Sequence, residues 1–210
     1  EDAVEMARMA AAALGIDESE MLVSSTGTIG RRLPMQRVAD GIALAKNALK
    51  PDGGNDAARA IMTTDTVPKH VALKAGIGGV EVTIGGMCKG AGMICPNLAT
   101  MLGYITTDAA VRADALQHAL KAAVAKSFNR ITIDGDQSTN DTVIVFANGA
   151  SKGPELTTDH PDYPVFVDAL TDVATTLAKK IVEDGEGATK FVTVAVEKAA
   201  SDADALLAAR

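Results

Sequence analysis

The chain has 210 residues, 47% hydrophobic and 22% charged, a globular mix that excludes disordered, collagen-like and fibrous readings. Its 27 acidic residues outnumber 20 basic ones for a net charge of −7, and aromatics are 3% with no Trp, which argues against nucleic-acid binding by charge or by stacking. No apolar run approaches the roughly 20 residues of a membrane helix. Cys88 and Cys95 read as reduced thiols and not as a disulfide or metal pair, so the expectation is a soluble cytoplasmic protein of one or two domains.

In chain order, residues 1–14 are alanine-rich and helix-forming up to Gly15. Met21–Val23 reads as a short strand entering Ser24–Gly30. Pro34 suits a first helical position, and Val38, Ile42, Ala45 and Leu49 then mark a core-facing helix ending before Pro51. Gly53–Asn55 is read as a turn, Val80, Val82 and Ile84 as a half-buried strand, and Gly85–Gly92 as the glycine-rich segment after it. Thr107 or Asp108 is the expected cap of a helix with a Leu116, Leu120, Ala123 and Val124 stripe.

Strands are expected at Arg130–Asp134 and Thr142–Phe146, the second buried on both faces. Pro164 opens a helix with the stripe Phe166, Leu170, Val173, Leu177 and Ile181, ending at Gly185 before an alternating strand Phe191–Val196. Ser201 and Asp204 are spaced as a capping box for a last short helix. The chain opens at Glu1 directly in a helical pattern and closes in fewer than two turns, Ala205 to Arg210, so it reads as an internal piece of a longer protein. Helices and strands interleave without a repeat, which places the fold in the α/β or α+β class, with sheets covered by helices.

Familiar catalytic signatures are missing. There is no GxSxG elbow, and His70, His118 and His160 sit in unrelated contexts, with His118 inside a helix pattern that favours a solvated role. No phosphate-cradling glycine motif is present. Asp134, Asp136, Ser138 and Asn140 mimic the start of a calcium loop, but Thr139 stands where the sharp turn needs Gly and Val145 where a bidentate Glu belongs. Threonines recur near element ends, among them Thr26, Thr63, Thr64, Thr66, Thr100, Thr106 and Thr107, where caps and turns account for most such residues.

The segment KGAGMICPNLATML, Lys89–Leu102, resembles the cleavage and nucleophile motif of the ornithine acetyltransferase / N-acetylglutamate synthase family. Four more segments are similar to that family in the same order: SSTGTIGRRLPM (24–35), IMTTDTVPK (61–69), ITIDGDQSTNDTVIVFANGAS (131–151) and GEGATK (185–190). The resemblance implies a self-processing enzyme of arginine biosynthesis with a sandwich of mixed sheets covered by helices. By the same resemblance it is expected to cut itself between Ala99 and Thr100. Residues 1–99 then form the C-terminal part of one subunit segment and 100–210 the N-terminal part of the other.

Scission matters because an internal threonine nitrogen is an amide, whereas a freed α-amine with a pKa of about 8 is partly neutral and can take the hydroxyl proton. By the same resemblance, Thr100 carries acetyl from N-acetylornithine to glutamate in a ping-pong cycle without a cofactor or metal. Thr26 and Gly27 match the oxyanion-hole pair, and Thr63, Lys89 and Glu186 match substrate-binding positions. Lys89 suits a carboxylate and Glu186 an ammonium group. Acetyl-CoA as a second donor separates bifunctional from monofunctional members, and the expected assembly is α2β2.

The family's C-terminal substrate-binding residues, an asparagine and a serine or threonine, have no counterpart in this sequence. Two other readings stand beside this one. A self-processing aminopeptidase or amidase would pass the acyl group to water, and a catalytically silent interaction module would never acquire it. Cys88 and Cys95 match no role and read as small buried fillers.

Overall fold

A computed structural model describes residues 1–95 and 101–209, and the chain divides into two compact units, Glu1–Ile61 and Met62–Arg210.

In the first unit, helix α1 (Asp2–Leu14) ends where Gly15 turns into the left-handed region at φ 72°, as expected. Helix α2 (Met35–Asn47) starts after Pro34 and packs on α1 through half-buried Val38 and Ile42. Its stripe is shorter than expected: Leu49 lies beyond the helix end and is 70% exposed. Gly54 and Asn55 open a short helix, α3 (Gly54–Ala60), where a turn was read, because the Ala-rich residues after them carry the helix on. Met21–Val23 is extended but forms no strand, since a ladder needs a partner and the described residues of this unit contain no strand.

The second unit is built on a four-stranded mixed sheet with helices packed against it, as the class expected from the sequence requires. Its strands run in the order β1 (Lys69–Ile77), β2 (Val80–Lys89), β3 (Leu102–Thr107) and β4 (Thr142–Ala147). The β1–β2 hairpin turns on Gly78 and Gly79, at φ 61° and 77°, the left-handed backbone a two-residue turn demands. Strands β2 and β3 are antiparallel, while β3 and β4 are parallel and joined through helix α4 (Ala113–Lys126).

Helix α5 (Tyr163–Glu183) lays the expected stripe on β1 and β2, with Phe166, Leu170, Val173, Leu177 and Ile181 fully buried. Each such side chain contributes about 1.5–3 kcal/mol of burial. Gly86 allows that approach, because a Cβ there would lie 2.9 Å from Leu177 Cδ1 and 3.1 Å from the Tyr104 carbonyl oxygen. Helix α4 packs on α5 and buries Ala115, Ala119 and Ala123, so of the expected stripe Ala123 is fully buried while Leu116, Leu120 and Val124 are half-buried.

Several expectations fail for identifiable reasons. Neither Thr107 nor Asp108 caps α4, whose N-cap is Arg112; Thr107 ends β3 and Asp108 accepts the Thr83 amide at 2.7 Å. The residues Gly85 and Gly86 lie inside β2 instead of after it. Residues 130–134 form no strand, though the Ile133 amide donates to the Ile94 carbonyl at 2.7 Å. Strand β4 is half-buried, with Phe146 47% exposed, because it is an edge strand with β3 as its neighbour.

The residues Phe191–Val196 are likewise outside any strand, and Val192 and Val194 are exposed. Helix α6 (Asp202–Ala209) begins at the expected capping box, where Ser201 Oγ bonds the Asp204 carboxylate at 2.8 Å and accepts its amide at 3.1 Å. Among the described residues no helix is long and apolar enough to cross a membrane.

Candidate active site

One end of the sheet of the second unit collects the chemistry. There β1 begins at Lys69, β2 ends at Lys89, β3 begins at Leu102 and β4 begins at Thr142; the ladder pairs Lys69 with Cys88, Lys89 with Leu102 and Leu102 with Thr142. The residues at 100 and 101 therefore stand just ahead of β3 in the chain. Ala99 and Thr100, the expected scission pair and nucleophile, lie outside the described residues.

The segments on either side of them are held by one loop. Ahead, the Asp134 carboxylate accepts the amides of Met93 and Ile94, the latter at 2.9 Å, and Met93 takes the left-handed φ of 56° that a residue with a Cβ rarely adopts. Behind, Asp141 Oδ1 accepts the Met101 amide at 2.8 Å, and the Thr142 amide donates to the Met101 carbonyl at 3.1 Å. Asp134, Asp136 and Ser138 thus serve the hydrogen-bonded turn expected there: Asp134 takes the Asp136 amide and Ser138 the Asn140 amide.

Asp141 Oδ2 is buried with no hydrogen-bond partner among the described residues. Burial pushes the Asp141 carboxyl above its ordinary range, against the opposing pull of the Met101 amide and the Lys89 charge. Lys89 is itself 3% exposed and takes part in no ion pair among the described residues. Burial pulls its ammonium down, while the charges of Asp65 and Asp141 support it. A buried ammonium of this kind suits a carboxylate ligand.

Thr63 and Glu186 reach the same end from other directions. The Thr63 amide donates to Asp65 Oδ2 at 3.1 Å. The Glu186 amide donates to the Ala91 carbonyl at 2.6 Å, and the Glu186 carboxylate lies against Gly92, where a Cβ would sit 2.9 Å from its carboxyl carbon. Gly92 makes the room that places a carboxylate beside the chain that leaves β2. Both Thr63 and Glu186 are exposed, in contrast to the buried Lys89.

Beneath them is a charged cluster that the residue-by-residue reading of the sequence did not single out. Lys69 Nζ is 2.6 Å from Asp65 Oδ1 and 2.5 Å from Asp184 Oδ2, and the three side chains are 1%, 0% and 7% exposed. Asp65 Oδ1 also accepts the Gly90 amide at 2.8 Å, and Asp184 accepts both the amide and the hydroxyl of Thr66. Burial alone would raise Asp65, but the Gly90 amide, the Lys69 ammonium and the Thr63 amide outweigh it and hold the carboxyl below its ordinary value. Asp184 is depressed in the same way, with burial outweighed by Lys69 and Thr66.

Thr26 and Gly27, the expected oxyanion pair, belong to the first unit, on a segment outside any helix or strand where Thr26 is half-buried and Gly27 exposed. Cys88 is buried and its thiol is pushed up to about 12 by desolvation, as fits an inert filler; Cys95 is half-buried.

Comparison with known proteins accords with this order of motifs. The family model described as the ArgJ family matches residues 1–210. The chain belongs to the ArgJ family.

Among its relatives, the arginine biosynthesis bifunctional protein ArgJ of Symbiobacterium thermophilum is 58% identical over 209 residues, all of this chain and 52% of that protein. The protein of the same name from Bacillus subtilis strain 168 is 50% identical, again over all of this chain and 51% of its own length. A crystal structure of the Bacillus halodurans protein of that name is 52% identical over 43% of each chain, with a TM-score of 0.42. The chain spans about half the length of these curated relatives.

Proposed function

We propose that the chain is part of an acetyltransferase of arginine biosynthesis that carries acetyl from N-acetylornithine to glutamate on Thr100. The observation that supports this reading is the sheet end itself, where Lys89 pairs with Leu102 at the start of β3 and the Thr63 segment and the Glu186 carboxylate are held against residues 90–92, which follow Lys89 in the chain.

Thr100 Oγ attacks the Ala99 carbonyl, the peptide bond becomes an ester, and water hydrolyses it, leaving an Ala99 carboxylate and a free Thr100 α-amine. The chain thereby divides into 1–99 and 100–210, which pair as an α2β2 assembly. The neutral α-amine then takes the Thr100 hydroxyl proton as Oγ attacks the acetyl carbonyl of N-acetylornithine. That proton passes to the departing amine, ornithine leaves, and glutamate's amine takes the acetyl from the ester.

Lys89 receives a substrate carboxylate, Glu186 a substrate ammonium, and Thr63 completes the binding set. Thr26 and Gly27 are assigned the oxyanion donors on the motif match alone. The reaction needs no cofactor, acetyl-CoA is a further candidate donor, and the expected compartment is the cytoplasm.

Intact-mass measurement before and after incubation with N-acetylornithine tests the reading. Two fragments meeting between Ala99 and Thr100, with one acetyl added to the fragment that begins with Thr100, are expected. An uncut chain, or a cut chain that never gains acetyl, overturns it. Release of free acetate without glutamate would instead support the amidase.

A further inference from the structure

We propose that Asp65, Lys69 and Asp184 are positioning residues for substrate binding, a buried hub that sets the three matched substrate residues relative to one another. The inference rests on the functional reading above.

The hub's connections lead to those residues and to little else. Asp65 has two carboxylate oxygens and both are committed: Oδ2 takes the Thr63 amide, and Oδ1 takes the Gly90 amide, the residue peptide-bonded to Lys89. Lys69 ties that carboxylate to Asp184, two residues ahead of Glu186 at the end of α5. Three segments spread over more than a hundred residues of chain, from 63–69 through 89–90 to 184–186, are thus fixed by one ammonium and two carboxylates.

The cost of that arrangement argues for a purpose. A triad of one cation and two anions carries a net negative charge inside the protein, and apolar side chains of equal volume would serve packing as well or better. Its surplus charge has a use in Lys89, whose buried ammonium is supported by Asp65. The hub therefore aligns the backbone of two proposed ligand-binding segments, and its negative charge opposes the burial that pulls the Lys89 ammonium down.

The test is Asp65→Asn in the complete natural chain. Because both oxygens accept from donors, the amide must turn its NH2 toward either the Thr63 amide or the Gly90 and Lys69 donors, a local fault in an isosteric side chain. The expected result is a KM for N-acetylornithine raised about 10- to 100-fold, the range that supporting hydrogen-bond partners carry at other sites. The expected kcat is within about threefold of the parent, the signature of lost binding common to ground and transition states. Scission at Ala99/Thr100 by intact mass is expected to proceed as in the parent, and amide exchange at Thr63 and Gly90 to accelerate.

A folded Asp65→Asn protein with parental KM overturns the proposal. If Asp65→Asn does not fold, Asp184→Asn carries the same test with the same split between KM and kcat. A parent that transfers no acetyl overturns the functional reading alone, and amide exchange then decides the hub: faster exchange at Thr63 and Gly90 supports it, and unchanged exchange overturns it.

Discussion

The two ends of the four-stranded sheet solve the same electrostatic problem in opposite ways. At the hairpin end, Lys74 and Glu81 pair across β1 and β2 at 2.6 Å with side chains 64% and 65% exposed. At the other end Lys69 and Asp65 pair at the same 2.6 Å with almost no exposure. Equal distance conceals unequal energetics: water screens the first pair, while the second has given up its hydration and depends on a complete set of partners. A sheet that needed only cohesion would use the hairpin solution at both ends. The buried end also holds Lys89 and Asp141, so expensive charge gathers at the end of the sheet where the candidate binding segments lie.

The sharpest break of this contrast is Lys69→Met. Removing the ammonium leaves Asp65 and Asp184 as buried carboxylates facing each other's charge, a loss of about 3–5 kcal/mol. Denaturant unfolding at pH 7 measures it, and a variant within about 1 kcal/mol of the parent would mean that the pair is not buried in solution. The pH dependence has a defined sign. Asp65 and Asp184 titrate below their ordinary values in the folded chain, so their contribution is present above the unfolded carboxyl value of about 3.9 and is lost as pH falls through the folded ones. Lys69→Met removes part of that depression, and the acid limb of its stability curve is expected to be flatter.

Asp141 sharpens the comparison inside the costly end, because it is buried without the ammonium contact that Asp65 has. Its folded value is raised, so its contribution is fully present below about 3.9 and is lost as pH rises through the folded value. Asp141→Asn keeps an acceptor for the Met101 amide and removes the buried charge. Thermal unfolding is expected to place the variant at or above the parent at pH 7, with the difference closing near pH 3. A variant melting several degrees lower at pH 7 would show that Asp141 is paired in solution.

Much of the second unit was legible because its signals are periodic. The α5 stripe came from spacing alone, and all five of its residues are fully buried. The β1–β2 hairpin was half missed: Val71, Leu73, Ala75 and Ile77 alternate before Gly78–Gly79, but the reading began at Val80. Residues 130–134 and 191–196 alternate just as well and form no strand, because period two states what a segment can do and a partner decides whether it does.

At the candidate site, the resemblance pointed to Thr63, Lys89 and Glu186, whereas Asp65, Lys69 and Asp184 went unnoticed. Asp65 and Lys69 stand inside the quoted IMTTDTVPK segment. Asp65 and Lys69 are only four residues apart, but what makes them a hub lies elsewhere in the chain: Gly90 is 25 residues from Asp65, and Asp184 is 115 from Lys69 and 118 from Thr66, and no local pattern announces such pairings.

The smallest expected effect lies at the hairpin end. Replacing Lys74 and Glu81 together by Ala removes a pair that points into solvent, where side-chain ordering and screening offset most of the attraction. The Gly78–Gly79 turn and the apolar contacts of Ile77 and Val82 set the register without it. The double variant is therefore expected to unfold at the same denaturant concentration as the parent and to show no added salt sensitivity. A clear drop in its midpoint at low salt, abolished in 0.5 M salt, would give the exposed pair a role of its own, and the contrast with Lys69 would then be one of degree instead of kind.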